Sequence, residues 1–284
     1  MSTYENRMKI HIPTLIAISI IAWALVNIMH EIVGHAGAAI LAGIPVKAVS
    51  TSTLYVYVDW EQFNTEHGLN PMRLFILGGT IVNIVTGALA LLALRWKKAM
   101  NTVICYFLWL FATFSTIIVA MNMVTNPLLG FGDWTDFIST LEQENIWKTI
   151  IILAGLVLMV TGYALSLRQW VPSMKGHRLA LLKITAIPVA TMIVVQTLSL
   201  IKSPFATLPP ESNHILTSSF AYIHFILWVI AVNLIPVPRS SDNLEAIRLP
   251  RSNVWLVLGF IVFIFFILVL GPGIGSFEGD PRLG

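Results

Sequence analysis

The chain has 284 residues, of which 56% are hydrophobic and 11% charged, and its mean hydropathy is +0.80. A soluble domain carries about 25% charged residues, so this composition excludes an ordinary soluble protein. The formal charge is +3, but the basic residues punctuate apolar runs rather than forming a patch, and no nucleic-acid partner is implied.

Uncharged runs occupy 12–29, 32–46, 74–94, 101–132, 149–167, 184–201, 215–238 and 252–277. A helix needs roughly 20 apolar residues to cross the hydrocarbon of a bilayer. Only Glu31 divides the first two runs, so they are expected to form one long or broken span. The expected fold class is an all-α polytopic membrane protein with about seven transmembrane helices, all within one integral membrane domain, 1–284. Residues 12–29 exceed the roughly 7–15 residues of a secretion-signal core, and no clear small-residue cleavage site follows. They are expected to stay as the first span. With a cytoplasmic N-terminus and seven spans, 12 Lys and Arg residues fall on the cytoplasmic side and 5 on the outer side, as the positive-inside rule predicts.

The first span carries His30, Glu31 and His35. Ionisable residues inside a span are costly and point to function. Imidazole is the commonest metal ligand, and a neighbouring carboxylate is the usual proton acceptor for water activated by zinc. The familiar helix signature is His-Glu-x-x-His, with histidines four apart on one face. Here they are five apart, which puts them roughly 140° from each other on a regular helix. A π-bulge would restore a common face, and Gly34 is suited to that distortion.

Between the first two spans, residues 48–58 are dense in β-branched and aromatic side chains and predict a strand or hairpin. An edge strand there would offer pairing to an extended substrate. The second span contains Gly78-Gly79-Thr80-Ile81-Val82-Asn83. The third contains the lone cysteine, Cys105, which excludes an internal disulfide, and runs into Asn126-Pro127-Leu128-Leu129-Gly130-Phe131-Gly132. Proline and two glycines are expected to break the helix there, just before Asp133 and Asp136.

These motifs together resemble the site-2 protease family of intramembrane zinc metalloproteases, over about residues 20–140. His30-Glu31-Ile32-Val33-Gly34-His35 looks like that family's His-Glu-x-x-His helix with one residue added. Gly78 to Asn83 looks like its Gly-Pro-x-x-Asn segment, and Gly132-Asp133-Trp134 like the site of its third ligand. The longer histidine motif is similar to the His-Glu-x-x-Gly-His of the soluble dipeptidyl peptidase III family. The resemblance implies a metalloprotease-like core over 1–140 and additional transmembrane helices over 141–284. It implies Zn2+ held by His30, His35 and Asp133, Glu31 as general base, and Asn83 with Gly79 at the substrate backbone. The substrate would be a membrane protein or peptide, reached from the lipid bilayer; the topology expected from the basic residues, independently, puts the site towards the outer half of that bilayer.

Alternatives stay open at two points. Asp133 is also placed to cap a helix, so Asp136 is an alternate third ligand. Asn233-Leu234-Ile235-Pro236-Val237-Pro238, followed by Asp242, looks like another ligand-bearing segment of the same family, which makes Asp242 the second alternate. The rival functions are a zinc hydrolase of lipid amides, resembling the seven-span ceramidase-like group, and a non-catalytic metal-binding membrane protein or transporter. His224 is expected to be a buried hydrogen-bonding residue, while His11, His67, His177 and His214 suit span ends or loops.

Overall fold

The computed structural model describes residues 10–170, 178–206, 214–234 and 249–279. It is an all-α polytopic membrane protein with a small sheet at one end. Among the described residues, six helices are long and apolar enough to cross a membrane, and a shorter apolar stretch, Tyr222–Leu234, adds to them.

The first span is composite: α1 (Ile12–Ile28), a π-helical segment (Met29–Ala36) and α2 (Gly37–Leu41). His11 starts it, its ring nitrogen accepting from the Thr14 backbone N–H at 3.3 Å, and a proline follows in the first turn, where no N–H is needed. The chain then forms an antiparallel hairpin, β1 (Val46–Val49) and β2 (Leu54–Val56). The hairpin expected over 48–58 is present and begins two residues earlier. A third strand, β3 (Ile274–Gly275), pairs with the other edge of β1, giving the order β2-β1-β3.

Next come the short α3 (Trp60–His67), α4 (Asn70–Ala93), α5 (Thr102–Leu129) and α6 (Asp133–Ser139). The remaining helices are α7 (Glu144–Trp170), α8 (Arg178–Ile201), α9 (His214–Leu234) and α10 (Asn253–Phe265), the last extended by a second π segment, Phe266–Leu270. Helix α5 is central: 72% of its spanning window is buried, against 22% for α7 and for α10. Apolar residues on the outer helices remain exposed, as a lipid-facing surface requires.

The core lies between α1, α5, α8 and α9. Trp23, Phe114 and Phe225 meet edge to face at 5.4–5.8 Å, the geometry favoured by the ring quadrupoles. Two long-range side-chain hydrogen bonds cross this core, while Trp228 Nε1 stays buried without a partner. Trp23 Nε1 donates to Gln196 Oε1 at 2.8 Å, and the Tyr106 hydroxyl donates to the Ile184 carbonyl at 2.6 Å. In hydrocarbon each such group would otherwise be strongly unfavourable.

The helix break expected over 126–132 is present, and Gly130 rather than Pro127 makes it. Pro127 does not break α5, which continues to Leu129. The proline sits in the last turn, where one hydrogen bond is lost just before the chain leaves the helix. Gly130, at φ 78°, ends it, its N–H bonding the Asn126 carbonyl at 2.9 Å, as glycine C-caps do.

Candidate metal centre

The π segment sets the angular relation of His30 and His35. Gly37 N–H reaches back five residues to the Ile32 carbonyl, so the turn holds one residue more than an α-turn. Both imidazoles are buried and meet at right angles, with ring centroids 4.8 Å apart.

Glycines let α4 come close enough to support them. A Cβ on Gly34 would lie 2.5 Å from Gly79 Cα, and one on Gly78 would lie 2.5 Å from the Gly34 carbonyl oxygen. The two backbones therefore touch. A Cβ on Gly79 would lie 2.6 Å from both His30 Cε1 and His35 Nε2. The imidazoles occupy the space a side chain at 79 would fill.

Asp133 arrives as the first residue of α6, whose N-cap is Gly132. The carboxylate does not serve as that cap. Gly132 has φ 85°, and a Cβ there would press on the Asn126 side chain at 2.8 Å. The turn thus folds tightly against the end of α5. Arg73 of α4 ties down the far end of α6, its Nε donating to Thr140 Oγ1 at 3.0 Å.

Three potential ligand atoms converge. His30 Nε2 and His35 Nε2 are 3.2 Å apart, and Asp133 Oδ2 lies 3.3 Å and 3.2 Å from them. A tetrahedral zinc site with bonds near 2.0–2.1 Å has ligand–ligand edges of about 3.3 Å. The triangle has the size of one face of such a tetrahedron. His30, His35 and Asp133 form the one metal-capable group of this kind among the described residues.

The ring partners fit metal ligation. His35 Nδ1 lies 2.9 Å from the Phe75 carbonyl oxygen, which can only accept, so Nδ1 carries the proton and Nε2 turns its lone pair to the site. His30 Nδ1 lies 3.3 Å from the Asn83 amide, whose Oδ1 is buried without a partner. Turning the amide so that Oδ1 accepts from His30 Nδ1–H satisfies that oxygen and frees His30 Nε2 as well. Such partners orient metal-binding histidines. Two lone pairs and a carboxylate facing each other at 3.2–3.3 Å would repel, and a cation removes the conflict. Burial alone would raise the Asp133 carboxyl pKa. Positive charge at the ligand atoms, carried by protonated His35 and His30 rings where no cation is bound, more than reverses this and holds it well below the usual carboxylate range.

Glu31 stands outside the ligand group but near enough to His35 to act on it electrostatically. It lines a narrow crevice with Asn27, Ser50, Thr51, Phe266 and Leu270.

Of the other sequence candidates, Gly79 and Asn83 lie against the histidine rings, which gives them a role in holding the ligands. Asp136 is exposed on α6 and does not join the triad; Asp242 lies outside the described residues. His224 lies in α9 and does not join the triad either. His11 caps α1 and His67 stacks on Phe63 at 4.5 Å, whereas His177 lies outside the described residues. The Phe75 carbonyl was not legible as a site group, because a main-chain acceptor leaves no mark in the residue type.

Comparison of the chain with protein-family models, curated proteins and solved structures finds no match.

Proposed function

We propose that this chain is an intramembrane zinc metalloprotease, similar to the site-2 proteases, that hydrolyses peptide bonds of membrane-embedded or membrane-proximal substrates. The observation that carries the reading is the His30–His35–Asp133 triangle, with edges of 3.2–3.3 Å, whose two histidines share a π segment with Glu31, which acts electrostatically on His35. Three protein ligands leave one tetrahedral position open, the arrangement of catalytic rather than structural zinc sites. Zinc held there would supply Lewis acidity, polarising the scissile carbonyl and making water a stronger nucleophile at neutral pH.

The chain's own residues supply the rest. Glu31 accepts a proton from the attacking water as the oxygen–carbon bond forms, then returns it to the nitrogen as the carbon–nitrogen bond breaks. Asn83 and the Phe75 carbonyl fix the tautomers of His30 and His35. A strand-forming segment close to the π segment favours a peptide over a lipid amide, since an extended backbone can pair with it. The basic-residue bias supports a cytoplasmic N-terminus and a site towards the outer half of the bilayer.

The test is Glu31→Gln in purified protein supplied with a single-span substrate. Metal content should stay at the wild-type level while cleavage falls roughly 100- to 10,000-fold, the range of general-base catalysis. Undiminished cleavage would remove Glu31 from the mechanism. Release of fatty acid from a lipid amide would point to the ceramidase-like alternative. Bound metal with no hydrolysis of either substrate would point to a non-catalytic metal-binding protein.

A further inference from the structure

The sheet beside the first span is completed by the C-terminal part of the chain. Thr51 N–H donates to the Leu270 carbonyl at 3.1 Å. Val49 and Ala48 then pair with Ile274 and Gly275, and Ser276 N–H donates to the Lys47 carbonyl at 3.3 Å. Residues 270–276 thus run antiparallel along the β1 edge.

The fit is close. A Cβ on Gly275 would overlap the Lys47 carbonyl oxygen, and one on Gly273 would overlap the Phe277 ring. Both glycines have positive φ, 99° and 94°, which side chains adopt at a cost. At the far end Phe277 is buried with Ala48, Tyr55 and Phe205, a cluster separate from the main core. Its ring stacks on Tyr55 at 6.4 Å and meets Phe205 edge-on at 5.3 Å. At the near end, Phe266 and Leu270 wall the crevice that holds Glu31. One end of the segment therefore borders the crevice that Glu31 lines, and the other lies in an aromatic latch.

We propose that this edge of β1 is a binding site for an extended peptide, and that residues 270–277 are a built-in strand which must leave before the peptide enters. A strand edge recognises any extended backbone through its main-chain donors and acceptors. A peptide laid along this edge in place of 270–276 passes the crevice of Glu31. Beyond Leu270, whose side chain belongs to the main core, the occupant is held by few hydrogen bonds and one aromatic anchor, the kind of element that opens locally without global unfolding. Its glycines make it fit without offering side chains to hold it. The inference rests on reading the site as a peptide hydrolase.

The experiment uses the full chain in lipid nanodiscs with Glu31→Gln, so that binding is read without turnover. The probe is a fluorescein-labelled peptide of alternating Val and Thr, followed by anisotropy. Adding Phe277→Ala releases the latch and should tighten binding about 10-fold, because the fraction of chains with a free edge rises. A Lys47→Cys/Ser276→Cys pair, opposite each other in the register, should lose peptide binding when oxidised and regain it on reduction. A Phe277→Ala protein that unfolds thermally as its parent does, yet binds no more tightly, overturns the proposal. If that variant does not fold, the cysteine pair decides. An oxidised form that binds like the reduced one means the peptide does not use this edge, and failure to oxidise contradicts the Lys47–Ser276 register. If latch-dependent binding is found but the wild type never cleaves the peptide, the hydrolase reading fails while the strand site stands.

Discussion

Two π segments border the crevice beside Glu31, and they use one backbone device for different ends. Met29–Ala36 carries His30, Glu31 and His35 and lies against the glycines of α4. Phe266–Leu270 carries only apolar residues, three of them buried, and hands the chain to the strand that pairs with β1. Its Phe266 carbonyl accepts from Ser199 Oγ at 3.5 Å, a long bond to a side chain on α8. The comparison teaches that π geometry alone does not make a site. It rotates side chains relative to a regular helix, and chemistry follows only where those side chains are ligands and the neighbouring helix leaves them room.

Removing ligands should show the largest contrast. His30→Ala, His35→Ala and Asp133→Ala should each take zinc, measured by elemental analysis, from about one equivalent per chain to a small fraction of that, because two ligands no longer define a closed site. Ile267→Ala, in the second segment, should keep full metal and lose only thermal stability, by about 2–5 kcal/mol for a buried aliphatic truncation. Retention of full metal by Asp133→Ala would break the assignment of the third ligand.

Close packing is the next point of difference. Gly79→Ala puts a methyl 2.6 Å from both imidazoles, whereas Gly259→Ala puts one 2.6 Å from Ala17 Cβ, between α10 and α1. Overpacking destabilises each by about 1–3 kcal/mol. Only Gly79→Ala should also weaken metal binding per folded chain, by displacing the rings. Equal metal affinity in the two variants would show that the imidazoles have room to move. Smaller still is Asn83→Ala, expected to weaken zinc binding about 10- to 100-fold through loss of the His30 partner. Asn83→Asp keeps an acceptor and should lose less. Competition with a zinc-chelating dye measures both.

Much of the first region could be read from residue types, and little of the second. His30, Glu31 and His35 stand out because charge inside an apolar run has few idle explanations, and Asp133 because it follows a glycine-rich break. The five-residue histidine spacing itself demanded an irregular turn, and the π segment supplies it. By contrast, Phe266-Ile267-Leu268-Val269-Leu270 is uniformly apolar, so no periodicity distinguishes a π turn from an α turn there. Strand β3 is two residues long and pairs with residues more than two hundred positions earlier, a relation local propensity does not encode. Pro127 misled for the opposite reason: its local rule is strong, but position in the last turn removes most of its effect. Gly79 and Asn83 were legible as site residues, while their contacts with the imidazoles depend on how closely two helices approach.

The finest distinction lies within the first π segment. If its added residue serves only to keep His30 and His35 on one face, removing that residue should restore an α-helix without moving them. Val33 is the position to delete, being 47% exposed and touching neither ligand role. Its loss leaves His30-Glu31-Ile32-Gly34-His35, with the histidines four apart, the spacing at which a regular helix aligns them. The turn then contracts from five residues to four, and α2 keeps its phase relative to α4. Metal content should remain at the wild-type level and affinity should change by about 1 kcal/mol or less, comparable to other tolerated changes away from a core. Deleting Leu268, 56% exposed in the second segment, should likewise turn π to α but draw Leu270 away from Thr51 and disturb the β1–β3 pairing. A Val33 deletion that folds yet binds no metal would mean the π turn shapes the site in a way that histidine alignment does not explain.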